Sequence, residues 1–154
     1  PGKGSIFTIY LPATRAALKQ LREEPSGHSF KGKGESVLVV DDLQEQREVA
    51  ESLLTRLGYS VKSVSSGEEA VAHLKKHPVD VMVLDMLMEP GIDGLDTYQR
   101  ILKINPKQKA IIVSGYTETD RVKQVMALGA SSFIRKPYLI DNIGTAIRKA
   151  LSEP

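Results

Sequence analysis

The chain has 154 residues, 41% hydrophobic and 26% charged, with a formal net charge of +2 and no cysteine. That composition suits one ordinary globular domain with a short appendage, gives no electrostatic case for nucleic acid or an anionic membrane, and excludes disulfides, thiolate chemistry and cysteine-ligated metals. No apolar run approaches the roughly 20 residues of a membrane-spanning helix.

The start, Pro1-Gly2-Lys3-Gly4, carries no initiator methionine and no signal-peptide pattern, as expected of a piece cut from a longer chain. Ser5 to Leu11 follows, β-branched and aromatic, stopped by Pro12, and reads as a strand. Its Gly-Lys-Gly prefix fits neither phosphate-binding fingerprint. Thr14 to Glu24 reads as a short helix ended by Pro25, and Ser26 to Glu35, with three glycines, as a linker. A regular alternation begins at Ser36. Val37-Leu38-Val39-Val40 predicts a buried strand ending in Asp41-Asp42, and Val49, Leu53, Leu54 and Leu57 a helix stopped by Gly58. Tyr59 to Val64 predicts a second strand, and Ser66-Gly67-Glu68-Glu69 a capping box opening a helix to about His77. Val79 to Leu84 predicts the third strand, ending at Asp85, with Pro90, Gly91 and Asp93-Gly94 forcing a loop after it. Leu95 to Leu102 predicts a third helix, and Ala110 to Val113 a fourth strand ending in Ser114-Gly115. Val122, Val125 and Met126 mark a fourth helix, Ser132 to Ile134 a fifth strand ending at Lys136-Pro137, and Ile140 to Leu151 the last helix. Five strands alternating with five helices predict an α/β fold, a doubly wound parallel sheet with helices on both faces.

The polar residues at the strand ends carry the chemistry. In a parallel sheet Asp41-Asp42, Asp85, Ser114 and Lys136 all fall on the carboxyl edge, where ligands bind. Three carboxylates together repel one another, and a hard divalent cation such as Mg²⁺ resolves this with oxygen ligands. A hydroxyl and an ammonium beside them suit a phosphoryl group, and an aspartate so surrounded can attack phosphorus to give an acyl phosphate. Each residue also has a bland reading: Asp41-Asp42 as a helix start, Ser114 as a turn hydroxyl, Lys136 as a solvated lysine. The matching set at four separate strand ends argues for the functional reading.

Residues 36–154 resemble the receiver domain of two-component response regulators. The resemblance rests on Val37-Leu38-Val39-Val40-Asp41-Asp42, Leu84-Asp85-Met86, Pro90 with Asp93-Gly94, Val113-Ser114-Gly115 and Phe133-Ile134-Arg135-Lys136-Pro137-Tyr138. It implies a flavodoxin-like sheet of order 2-1-3-4-5 and phosphoryl transfer from a phosphohistidine onto Asp85. It implies Mg²⁺ held by Asp41, Asp42, Asp85 and the backbone carbonyl of Leu87, with Ser114 and Lys136 binding the phosphoryl group. Ser114 and Phe133 fall at the switch positions, and a cis Lys136-Pro137 peptide is implied. Leu87 and Tyr116 fall where side chains flank the hydrolytic water, so slow self-dephosphorylation is expected. One departure stands out: the loop from Asp85 to Gly94 is one residue longer than usual, and the extra residue is placed near Glu89-Pro90-Gly91.

Residues 1–12 are similar to the closing strand of the ATP-binding domain of sensor histidine kinases. That implies a hybrid histidine kinase, with residues 13–35 as helix and linker and the kinase core upstream. The chain itself then supports only its own aspartyl phosphorylation and dephosphorylation, in the cytoplasm, whether or not the parent is membrane-anchored. The phosphodonor is a histidine kinase or a histidine phosphotransfer domain, with no nucleic acid and no direct membrane contact. The apolar N-terminal segment is expected to pair with a sheet edge or with a second copy, as a homodimer. His28, His73 and His77 have no phosphodonor context. Alternatives are a metal-dependent phosphatase with an aspartyl nucleophile, which needs Asp-x-Asp where Asp41-Asp42-Leu43 stands; a flavin module, which needs a Ser/Thr-rich loop there; a receiver with a DNA-binding output; and a stand-alone regulator acting by protein contact.

Overall fold

The computed structural model describes residues 2, 4, 7–10, 30–115 and 120–153. The expected helix over 14–24, and Tyr116, lie outside the described residues.

The strands are β1 (Ser36–Val40), β2 (Ser60–Val64), β3 (Val81–Asp85), β4 (Ala110–Ser114) and β5 (Ser132–Arg135). They alternate with α1 (Gln44–Arg56), α2 (Gly67–Leu74), α3 (Gly94–Leu102), α4 (Asp120–Ala127) and α5 (Ile140–Ser152). The sheet is all parallel in the order β2-β1-β3-β4-β5, as the alternation predicts. Successive strand residues face opposite sides, which splits the core in two. Leu38, Val40, Met82, Leu84 and Ile112 pack with Ala70 and Leu74 of α2, Tyr98 and Ile101 of α3, and Val125 of α4. Val37, Val39, Val81, Val83, Ile111 and Val113 pack with Leu54 of α1 and with Ile143 and Ile147 of α5. Both faces are covered, so the three central strands need apolar residues at consecutive positions, as the Val- and Ile-rich runs supply.

Three boundaries differ from expectation. β3 starts at Val81 rather than Val79, because Asp80 turns its carboxylate back onto Ser36, accepting from the Ser36 backbone N–H at 2.7 Å and from Oγ at 2.6 Å. α2 ends at Leu74, and the chain continues to His77 only as a turn. The end of the expected linker is docked on the domain. Gly32 and Gly34 donate to the carbonyls of Leu57 and Gly58, Phe30 packs in the α1–α5 core layer, and Glu35 pairs with Arg148 at 2.6 Å. At the other end, Phe7, Thr8, Ile9 and Tyr10 belong to no strand, with Phe7 88% and Tyr10 90% exposed.

Candidate functional site

The sheet register builds the site. Val40 pairs with Leu84, and Asp85 with Val113, so Asp41, Asp85 and Ser114 emerge side by side where β1, β3 and β4 end. Four buried apolar residues precede Asp85 in its strand, and burial continues through it: Asp41, Asp85 and Ser114 are buried, and Asp42 is half-buried. Lys136 follows β5 and is anchored by its backbone N–H, which donates to the Ser114 carbonyl at 2.7 Å. The Lys136-Pro137 peptide is cis, as the resemblance implies. From there the Lys136 ammonium bridges Asp41 Oδ2 at 2.5 Å and Asp85 Oδ2 at 2.8 Å. Backbone N–H groups take up the other carboxylate oxygens. Leu43 donates to Asp41 Oδ1 at 3.0 Å, Leu87 to Asp85 Oδ1 at 3.3 Å, and Glu89 to Asp42 Oδ2 at 3.4 Å.

The electrostatics follow from burial. Burial pushes the Asp85 carboxyl above its ordinary value, and the hydrogen bond and charge of Lys136 only partly offset it. Burial works most strongly on the Lys136 ammonium, against it, but the hydrogen bonds and charges of Asp41 and Asp85 together outweigh it and hold Lys136 above its ordinary value. One ammonium therefore pairs with two of the three carboxylates gathered here. Asp41, Asp42 and Asp85 each offer an oxygen, all within 4.8 Å of one another. An all-oxygen donor set in a partly buried cleft fits a hard divalent cation such as Mg²⁺. Beside it, Asp42, Leu87, Met88, Glu89 and Asp93 line a cleft of about 380 Å³.

The loop with the extra residue contributes Leu87, Met88, Glu89 and Asp93 to the lining of this cleft. Met86 and Met88 are buried, Glu89-Pro90 is cis, and Gly91 takes φ +125°, a conformation that favours glycine. Glu68 of α2 holds the loop by accepting from the Ile92 N–H at 3.1 Å. Asp93 caps α3 by accepting from the Asp96 N–H at 3.0 Å, and it pairs with Arg121 of α4. Phe133 is partly buried against the α2–α3–α4 core layer.

Two supports were not visible in the sequence. Arg47 of α1 donates through one Nη1 to the carbonyls of Asp41 at 2.8 Å and Asp42 at 2.9 Å, fixing the backbone that carries two carboxylates. Gly94 lets α3 start in contact with the Asp85 carbonyl: a Cβ there would lie 2.5 Å from that oxygen. The Asp-Gly pair signals a turn, but no spacing rule points to Arg47.

Comparison with known proteins shows the family. Residues 37–148 match the family described as the response regulator receiver domain. The chemotaxis protein CheY of Thermotoga maritima is 32% identical over 117 residues, which are 75% of this chain and 97% of that protein. The sensor kinase CckA of Brucella abortus is 29% identical over 164 residues, covering 99% of this chain but only 17% of the kinase. A receiver domain protein from Clostridium thermocellum superposes with a TM-score of 0.72 at 30% identity, over 76% of this chain and 94% of its own. With the acidic cluster at the carboxyl edge of a 2-1-3-4-5 sheet and the family match over most of its length, the chain belongs to the response regulator receiver domain family of two-component signalling.

Proposed function

We propose that Asp85 takes a phosphoryl group from a phosphohistidine, and that the chain does so as the receiver of a hybrid histidine kinase in the cytoplasm. The observation that carries the first part is the Lys136 ammonium, held at 2.8 Å from Asp85 and 2.5 Å from Asp41 at the carboxyl end of a buried strand. An Asp85 oxygen attacks phosphorus while the P–N bond breaks. The imidazole nitrogen leaves with the bonding pair, as neutral imidazole if the phosphohistidine ring is already protonated and otherwise after taking up a proton. Attack needs the ionised carboxylate, which burial disfavours and Lys136 favours. Lys136 then pairs with the new phosphoryl oxygens, and Ser114, last in β4, is within the same edge to donate to them. Asp41, Asp42, Asp85 and the Leu87 carbonyl would hold Mg²⁺, which when bound would supply charge neutralisation for the carboxylates and the phosphoryl oxygens. Ser114 and Phe133 are the proposed switch residues.

Support for the hybrid-kinase origin is the extent of the alignments. The match to the sensor kinase covers 99% of this chain, whereas the match to CheY covers 75%. The residues outside the receiver thus find their counterpart in a kinase, the class that provides phosphohistidine. A second reading, a stand-alone regulator acting by protein contact, is favoured by the 97% coverage of CheY.

The chain, its Asp85→Asn variant and its Asp93→Asn variant are incubated with Mg²⁺ and phosphoramidate, and intact mass is measured. One phosphoryl adduct is expected for wild type and Asp93→Asn and none for Asp85→Asn. An adduct that persists in Asp85→Asn refutes the assignment.

A further inference from the structure

At the opposite edge of the sheet from Asp85, two histidines form a pair that the phosphoacceptor chemistry does not use. His73 lies in the last turn of α2, and His77 lies four residues on. The backbone turn persists between them, since the His77 N–H donates to the His73 carbonyl at 2.8 Å. That bond keeps the two side chains on one face. Their ring centroids are 5.1 Å apart, with the planes tilted by 40°. Both rings line a cleft of about 360 Å³ with Ser36, Ser60, Lys62 and Val79.

We propose that His73 and His77 form a binding site for a borderline transition-metal dication such as Zn²⁺, separate from the acidic site. A metal about 2.0–2.1 Å from each imidazole nitrogen lies roughly 3.2 Å from each ring centroid, so a near-tetrahedral angle sets the centroids roughly 5 Å apart. The observed separation meets that requirement. Metal binding needs neutral imidazole. Partial burial, the neighbouring His77 and Lys62 hold His73 below its ordinary value, so the ring is neutral at physiological pH. His73 is half-buried and His77 exposed, so the site opens to solvent. Lys62 is the one opposing charge among the residues that line the cleft. It is exposed, and its long stem can carry the ammonium into water. Among the described residues no further histidine or carboxylate joins the pair to make three ligands. Water completes the coordination, and the site is an open one rather than a closed structural centre. Donor chemistry separates the two sites. Imidazole selects Zn²⁺, Ni²⁺ or Cu²⁺, whereas three carboxylates suit Mg²⁺.

The test is calorimetric titration of the full chain with Zn²⁺ in saturating Mg²⁺, which occupies the carboxylate site. Wild type and His28→Gln are expected to bind one equivalent. His73→Gln and His77→Gln are each expected to bind at least about tenfold more weakly, having lost one of two ligands. In wild type, Zn²⁺ is also expected to shift the ring C–H resonances of both His73 and His77, a readout that needs no variant. Absence of binding by wild type, wild-type affinity in either Gln variant, or a shift of only one ring overturns the proposal.

Discussion

Replacing Gly94 by alanine tests how tightly the strand that carries Asp85 is packed against α3. A Cβ at this position would stand 2.5 Å from the Asp85 carbonyl oxygen, 2.8 Å from Met86 Cα and 3.0 Å from Met86 Sδ. Optimal contact between such atoms is about 3.5–4.0 Å, so the deficit is roughly 1 Å. The nearest two atoms are backbone, in and just after a fully buried strand, and cannot rotate aside. The Gly94 N–H also donates to the Met86 carbonyl at 3.2 Å, which fixes the approach. Overpacking of this kind costs about 1–3 kcal/mol. Against it stands the helix propensity of alanine, worth at most about 1 kcal/mol over glycine and less at the first helical position. The clash wins, with an expected net loss of about 1–2 kcal/mol. Urea denaturation reads this as a lower midpoint at unchanged slope. Gly115→Ala is the control: a Cβ on Gly115 would meet no atom within 4 Å, so the change should alter stability by less than about 0.5 kcal/mol. Because the displaced atom belongs to Asp85, phosphoramidate labelling of Gly94→Ala should also slow. A Gly94→Ala protein as stable as wild type, or more stable, refutes the packing argument.

Arg47→Met removes the donor shared by the Asp41 and Asp42 carbonyls; it should cost about 1–2 kcal/mol in urea and weaken Mg²⁺ binding in a fluorescence or calorimetric titration. Asp80 is held below the ordinary aspartate value of 3.8 by the Ser36 hydroxyl and the Ser36 backbone N–H. The stability this carboxylate contributes is therefore present above the unfolded value and lost as pH falls through the folded one. The stability gap between wild type and Asp80→Ala should hold from neutral pH to about pH 5 and narrow below that, followed by denaturation midpoints across pH. Leu87 is 53% exposed beside the acidic cleft and offers no hydrogen bond to a hydrolytic water. Leu87→Asn should speed loss of the phosphoryl group by roughly five- to thirty-fold, equivalent to about 1–2 kcal/mol of barrier, in a decay assay with Mg²⁺; equal or slower decay discards the idea.

The fold was legible because each central strand is covered on both faces. Val37 to Val40, Val81 to Leu84 and Ala110 to Val113 are apolar at every position, and almost nothing else in a short segment reads that way. The docking of residues 30–35 was not legible. A stretch holding Gly32 and Gly34 has the composition of a flexible linker. Its glycines instead allow close approach: a Cβ on Gly32 would lie 2.5 Å from the Tyr59 ring, and Gly144 of α5 leaves the space that Phe30 fills. Composition cannot tell a glycine that supplies freedom from one that supplies room, because the difference lies in a partner far away in sequence.

The same distinction divides the site. Asp41, Asp42, Asp85, Ser114 and Lys136 could be named from sequence because strand ends in a parallel sheet share an edge whatever the details of packing. How they meet depends on those details. The reach of Lys136 to both Asp41 and Asp85 follows from its backbone bond to the Ser114 carbonyl and from the register that sets β5 beside β4. Arg47 becomes part of the site only because α1 begins at Gln44 and returns its first turn over the Asp41 and Asp42 carbonyls. The groups proposed to do the chemistry are fixed by topology, which a pattern of strands and helices conveys. Those that hold them in place are fixed by tertiary contacts, so Arg47 and Gly94, rather than the acidic cluster, are where substitution most directly tests the geometry.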